Sequence, residues 1–539
     1  MAIDYNDMRC LPLLLLPLSF TEGQAQDISA PRIRAHVKFL ASDLLEGRGV
    51  GTRGGRLATE YLAAAFAAAG AQPAGDISNG RRTYEQQVLL RGVTTLPTST
   101  ISSGDTMLQY LSGFVGTSQL QRATEDLSAP AVFVGHGIDA PEFKWNDYAG
   151  ADVRGKIVVL FTNEPPSQDE RFFGGRALTY YGRWAYKFQE AARQGALACL
   201  IIHTDPTAGY SWEVVRNSWG KEDTQIPVDP AVPSLAFSGW LTADAAQRLL
   251  GLDTAPLLAA ADQRGFRARP LERTLRIQAQ AQVRDVHSQN IAALVEGTDL
   301  KQEAIVFSAH WDHLGMDAKA TGDGIYNGAV DNATGLGVLL ELARAWAALP
   351  QKPRRSALFL AVTAEEGGLR GSEYYGRHPL IPLGKTQLNI NFDAIPPYGR
   401  PRDLVITGAE RTTAWPLVQE VARRYNFALS PDPRPEQGIF YRSDHFSFAR
   451  VGVPAFSVNL GADYQGMNAT GANAQRQEYS AKHYHQPSDE FDEDWDWSGV
   501  EDVARVGLTL GINAANTPAL FTWRPNDEFL PARQASLGK

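Results

Sequence analysis

Two adjacent glutamates, Glu365 and Glu366, follow the apolar run Ala357 to Val362 in the stretch AVTAEEGG. Like charges side by side where a core strand runs out call for a cation to hold them in one cleft. Other side chains able to bind a metal fall in matching places. His310 and Asp312 follow the apolar run 304–309 in SAHWDHLG, and Asp331 precedes a helical stretch in NGAVDNATG. Asp393 ends NINFDA, and His485 lies in YHQPSDEFD. Each is commonplace alone: an aspartate before a helix usually caps it. Gathered at the strand ends of one sheet edge, they form a metal-ligand set.

Two imidazoles and three carboxylates, with no thiolate, suit zinc, and manganese or cobalt less well. Five side chains exceed what one open catalytic zinc needs and fit two ions about 3.5–4 Å apart. Asp331, lying between the two halves, is the natural bridge. Glu366 is then a ligand, and Glu365 is the general base acting on a metal-bridging water. Successive strand residues face opposite sides, so the strand must end before this pair, and Gly367 and Gly368 permit that. Asp312, two residues beyond His310 on an extended chain, would accept the imidazole N–H and fix its tautomer. His313, His378 and His483 are assigned no role.

The elements that must position this set alternate. Strands are expected at 289–295, 304–309, 356–363, 387–392, 403–407 and 453–459, with helices at 333–348, 368–376, 413–425 and 498–513. Strand-then-helix repetition implies a mostly parallel sheet covered on both faces, with ligands beyond the carboxyl ends of its strands. Residues 31–70 read as helical, with Ile33, Val37, Leu40 and Leu44 on one face and Leu57, Tyr61, Ala65 and Phe66 on another. The intervening EGRGVGTRGG lacks the lysine and hydroxyl of a phosphate loop and reads as a flexible connection. From about 120 to 270, short apolar strands alternate with Gly/Pro turns around one helix at 182–194, the texture of a separate β-rich domain. The tail after about 516 reads as loosely held.

The 539 residues require more than one simple core. A net charge of -9 argues against a nucleic-acid binder, which needs a basic face. Arg9, the apolar run after it and the small residues before Ala25 read as an export signal over 1–25, too short to span a bilayer. No other run approaches a membrane span. The exported chain would keep Cys199 alone of its 2 cysteines, and so no internal disulfide.

The His-x-Asp, Asp-Asn, Glu-Glu, Asp and late His, in this order, resemble the dizinc exopeptidase family. It includes secreted bacterial leucyl aminopeptidases, glutamate carboxypeptidase II and the non-catalytic transferrin receptors. The resemblance covers about 31–115 and 275–515. WNDYAGADVRGKIVVL and AARQGALACLIIHT resemble the protease-associated domain that such chains often carry. The implied fold is a three-layer αβα arrangement on a mixed, mostly parallel sheet. Its peptidase domain would take in 26–120 and 271–515, with the protease-associated insert at 121–270 and a tail at 516–539.

The resemblance implies two Zn2+ per chain: His310 and Asp393 on one, Glu366 and His485 on the other, Asp331 bridging. Glu365 would be the base and Asp312 the orienter. IFYRSDHFSFARVGVPAF matches a family segment in which Tyr441 is a candidate oxyanion donor. The family often has a non-proline cis peptide after the bridging aspartate. The implied activity is removal of N-terminal residues from peptides. A carboxypeptidase or dipeptidase of the same fold is the alternative, and would need Arg370, Arg377 or Arg442 to hold a carboxylate. The complete ligand set argues against a one-zinc glutaminyl cyclase and against a non-catalytic binder. The insert would cap the cleft or contact a protein.

Overall fold

The computed structural model describes residues 28–467 and 469–538. The signal expected at 1–25, with Cys10, lies outside the described residues. Among those described, no helix is long and apolar enough to cross a membrane.

Four parallel strands make the centre of the main sheet. Strand Arg355–Val362 lies beside Leu300–His310, which neighbours Thr386–Asn391, followed by Ala455–Leu460. Antiparallel strands flank them: Asp403–Thr407 on one side and the long strand Arg269–Val295 on the other. Their apolar residues alternate between two layers. Ile305, Phe307 and Ala309 join the core beneath helices Ala30–Leu40, Thr334–Ala347 and Ser498–Asn516. Val306, Leu358 and Leu360 join Tyr375 and Phe448 on the opposite face. This is the αβα layering expected for parallel strands buried on both sides. The chain leaves Leu300–His310 for its neighbour on one side, then crosses to the other side at Thr386–Asn391. That change of direction opens a crevice at the carboxyl end of Leu300–His310.

A second sheet has its own apolar core. Strands Thr124–Phe133, Ile157–Phe161, Ala198–His203 and Phe237–Thr242 run parallel. Helices Trp184–Arg193, Trp212–Trp219, Ala243–Leu250 and Thr254–Ala261 accompany them, so this unit is richer in helix than its Gly/Pro-punctuated sequence suggests. Strands Thr100–Ser103 and Phe114–Thr117 also pair into it. Arg269–Val295 belongs to both sheets, pairing with Thr124–Phe133 through its first half and with Glu85–Thr95 through its second. A continuous ladder thus ties the two units.

Three local expectations are corrected. Helix Arg53–Ala68 buries Ala58, Leu62 and Phe66, while Leu57 is 38% exposed. Thr52 accepts the Gly55 N–H at 3.2 Å and fixes the helix start, and with it the rotation. The first helix ends at Leu40, which leaves Leu44 exposed. The tail is docked: Trp523 is buried and donates to the Gly452 carbonyl at 3.0 Å, while Arg533 donates to the carbonyls of Phe521 and Leu383.

Candidate metal centre

His310 is the last residue of its strand, and Trp311 N–H donates to the Val362 carbonyl at 2.9 Å. That bond closes the ladder at the pair His310–Val362, and beyond it Asp312 plays a different part from the one expected. The backbone carbonyl of Asp312 accepts the His310 Nδ1–H at 3.1 Å, leaving Nε2 free to act as a donor to a metal. The Asp312 carboxylate instead accepts the backbone N–H groups of Glu365, at 3.1 Å, and Glu366, at 3.4 Å. It holds the glutamate pair rather than the imidazole, as the extended-chain argument had it.

The strand before the glutamates ends at Val362, and the reversal is made at Ala364, whose φ is +52°, as well as at Gly368. A non-glycine residue in that region is uncommon and marks a constrained turn. It delivers both glutamates into the crevice. Asp393 follows the adjacent strand, and Ser443 donates its hydroxyl to the Asp393 carboxylate. Asp331 and Asn332 are joined by a cis peptide bond ahead of helix Thr334–Ala347. Asp489 accepts the N–H groups of Val330 at 3.0 Å and Asp331 at 3.1 Å.

These elements bring the five expected ligands together. His310 Nε2 lies 3.1 Å from Asp331 Oδ1 and 3.3 Å from Asp393 Oδ1. His485 Nε2 lies 2.9 Å from Glu366 Oε2 and 3.5 Å from Asp331 Oδ2. Each Asp331 oxygen thus faces a different histidine–carboxylate half. Donors around a tetrahedral zinc, with bonds of about 2.0–2.1 Å, lie roughly 3.3 Å apart. The observed separations fit that spacing twice over.

The electrostatics agree. Burial favours protonation of Glu366, but His485 and His313 outweigh it and pull its pKa down to about 2. Burial favours neutral His485, but Glu366 and Asp331 outweigh it and push its pKa up to about 9. Glu365 differs: burial, then the charges of Glu366 and Asp393, holds its pKa well above the carboxylate range.

Sequence reasoning missed five contributors. His313, assigned no role from the sequence, is buried with Nδ1 2.6 Å from Glu366 Oε1. Neither ring nitrogen makes a directed hydrogen bond, and Glu366 Oε1 also lacks one. Unpartnered buried lone pairs of this kind are what a cation would complete. Ser218, on helix Trp212–Trp219 of the second unit, meets His485 Nδ1 at 3.2 Å, and nothing in the sequence pointed to it. Tyr484 stacks its ring 3.9 Å from His485, a neighbour in sequence that could have been weighed. Asp489 lies in the same YHQPSDEFD motif. Arg48, from the stretch read as a flexible connection, is fully buried and donates to the carbonyls of Leu40, Trp311, Asn327 and Gly328. A Cβ on Gly47 would lie 2.3 Å from the Gly315 carbonyl oxygen, so that stretch is fitted against the loop behind His310.

Tyr441 is a further correction. Its hydroxyl donates to Glu528 at 3.0 Å, and its ring packs with Phe440 and Phe446. The docked tail thus takes up the phenol proposed for the oxyanion. Tyr484 lines the cleft as well, with its oxygen accepting from Arg442 at 3.3 Å. The cleft is a cavity of about 840 Å³, walled on one side by Trp184, Tyr210 and Lys221 of the second unit and on the other by Glu365, Glu366 and His485.

Fold and cluster together define an α/β protein with a histidine–carboxylate cluster able to hold metal at a switch point of its sheet. Residues 290–510 match the model of peptidase family M28. That segment carries His310, Asp331, Glu366, Asp393 and His485. The chain is 30% identical over 162 residues to leupeptin-inactivating enzyme 1 of Streptomyces exfoliatus, covering 30% of this chain and 34% of that protein. It is 33% identical over 110 residues to aminopeptidase YwaD of Bacillus subtilis, covering 20% of this chain and 22% of that one. The chain thus spans about a third and about a fifth of these curated relatives. Its fold is similar to that of an aminopeptidase from Aneurinibacillus sp. strain AM-1, with a TM-score of 0.55 and 21% identity over 94% of this chain and 98% of that one.

Proposed function

We propose that the chain is a dizinc metallo-aminopeptidase that removes N-terminal residues from peptides. The observation that carries this is Asp331, whose two oxygens each face a separate histidine–carboxylate pair in the floor of the cleft. His310, Asp393 and Asp331 would hold one zinc, and Glu366, His485 and Asp331 the other. When bound, such a pair supplies Lewis acidity to a carbonyl and makes water more acidic.

The remaining work falls to protein groups. Glu365 takes the proton of the attacking water and returns it to the leaving nitrogen. Burial raises its pKa above the ordinary carboxylate range, which makes its carboxylate a stronger base. The Tyr484 oxygen accepts from Arg442, which leaves its O–H free to donate to the developing oxyanion. Ser218 holds the His485 ring through Nδ1, and Asp312 holds the backbone of the glutamate pair. The second unit roofs the cleft and so limits substrates to chain ends. Export of the chain is part of the same reading and rests on the segment around Arg9.

The test is mass spectrometry of products from free, N-acetylated and C-amidated peptides, with added zinc and with a chelator. Chelator-sensitive loss of single N-terminal residues, blocked by acetylation, is expected. Shortening from the carboxyl end would replace this reading with a carboxypeptidase.

A further inference from the structure

His313 belongs to the cluster but to neither half of the five-ligand set. It follows the strand Leu300–His310, just before the short strand Gly315–Met316. Its ring is buried, and Nδ1 stands 2.6 Å from Glu366 Oε1. The contact is not a directed hydrogen bond, and Nδ1, Nε2 and Oε1 all stand without a partner. An imidazole beside a carboxylate gains from the contact by donating in line or by sharing a cation. The first is absent here.

The positions suit the second. Glu366 Oε2 lies 2.9 Å from His485 Nε2, so the two Glu366 oxygens divide between two imidazoles. One ligand atom each of His313, Asp331 and Glu366 lie within 4.8 Å of one another. The His313 and His485 rings meet edge to face, 5.7 Å between centres. His313 is also closely seated: a Cβ on Gly328 would lie 2.6 Å from its ring carbons Cγ and Cδ2. An apolar side chain would fill that space without burying unpartnered nitrogens. A cation satisfies Nδ1 and Oε1 together and leaves only Nε2–H without a protein acceptor.

We infer that His313 is a sixth protein ligand, binding zinc through Nδ1 on the Glu366–His485 half. Resting on the dizinc proposal for the ions themselves, this makes the halves unequal. One has His313, His485, Glu366 and Asp331, and the other His310, Asp393 and Asp331. Four protein donors complete a tetrahedral zinc, and three leave a position open. The Glu366 half is then the tighter site, and the open position falls on the His310 half.

The test is X-ray absorption spectroscopy of the zinc-loaded chain, which counts imidazoles per zinc without recourse to activity. Three imidazoles over two zinc ions are expected, and two would overturn the inference. A chain that binds a single zinc would defeat the dizinc proposal and still decide His313. That ion should take the four-donor half and show two imidazoles, and one imidazole would overturn the inference.

Zinc competition against a chromophoric chelator gives the second readout. His313→Ala should weaken the tighter site by about 10-fold or more, since loss of a residue that only orients a ligand already costs about 10- to 100-fold. Added imidazole should restore part of that loss. His313→Phe keeps the ring and removes the nitrogens, so it should weaken zinc as His313→Ala does and resist rescue. A folded His313→Phe protein with unchanged zinc affinity would overturn the inference. If neither variant folds, the imidazole count on the unaltered chain decides.

Discussion

Replacing Asp489 should damage the metal centre without touching a ligand. Asp489 is buried, and its two oxygens accept the backbone N–H groups of Val330 and Asp331 at 3.0 and 3.1 Å, while Tyr479 donates to it at 3.2 Å. Asp489→Ala strands both backbone donors out of reach of water. Each such group costs about 1–3 kcal/mol, so the local penalty is about 2–6 kcal/mol. The turn can escape that penalty only by moving, and Asp331 moves with it. Because Asp331 faces both halves of the cluster, zinc affinity should fall about 10- to 100-fold, as for other residues that orient ligands. Asp489→Asn keeps one acceptor oxygen and should lose roughly half as much free energy. The assay is zinc competition against a chromophoric chelator, run beside thermal melts with and without chelator. A folded Asp489→Ala protein with unchanged zinc affinity would refute the argument, because the bridging aspartate would then hold its place without those two bonds.

Two further outcomes are expected. Glu365→Gln should retain both zinc ions by elemental analysis and lose about 10²–10⁴ in kcat, the range for a general base; near-normal turnover would remove the base from that position. In the second unit, Glu164 accepts from the Thr179 N–H and hydroxyl, yet burial pushes its pKa up to about 7. The folded chain keeps that proton to about pH 7 and the unfolded chain only to about 4.5, so stability falls as pH rises between them. The span corresponds to at most about 3 kcal/mol. Glu164→Gln should flatten that decline in denaturant midpoints measured from pH 4.5 to 7.5, and an unchanged slope would assign it to other groups.

The sequence by itself determined the αβα layering, because strands buried on both faces must be apolar throughout and the helices between them amphipathic. It also determined the ligands His310, Asp331, Glu366, Asp393 and His485 as candidates, since the first four lie at a strand end or helix start and His485 lies in a polar loop. Tertiary structure decided what stands behind them. Asp312 accepts from the Glu365–Glu366 backbone because the neighbouring strand, paired with that of His310, ends at Val362 and brings those N–H groups within reach. The Tyr441 hydroxyl is taken up by Glu528, nearly ninety residues later, while Tyr484 lines the same cleft beside His485. Arg48 leaves its glycine-rich stretch to bind carbonyls on loops up to 280 residues away. Ser218 and Arg183 reach the cleft only because the strand Arg269–Val295 ties the second unit beside the first. Ligand chemistry is local and can be read from short motifs. Hydrogen-bond satisfaction across a fold depends on distant partners, and the sequence does not say which of them will meet.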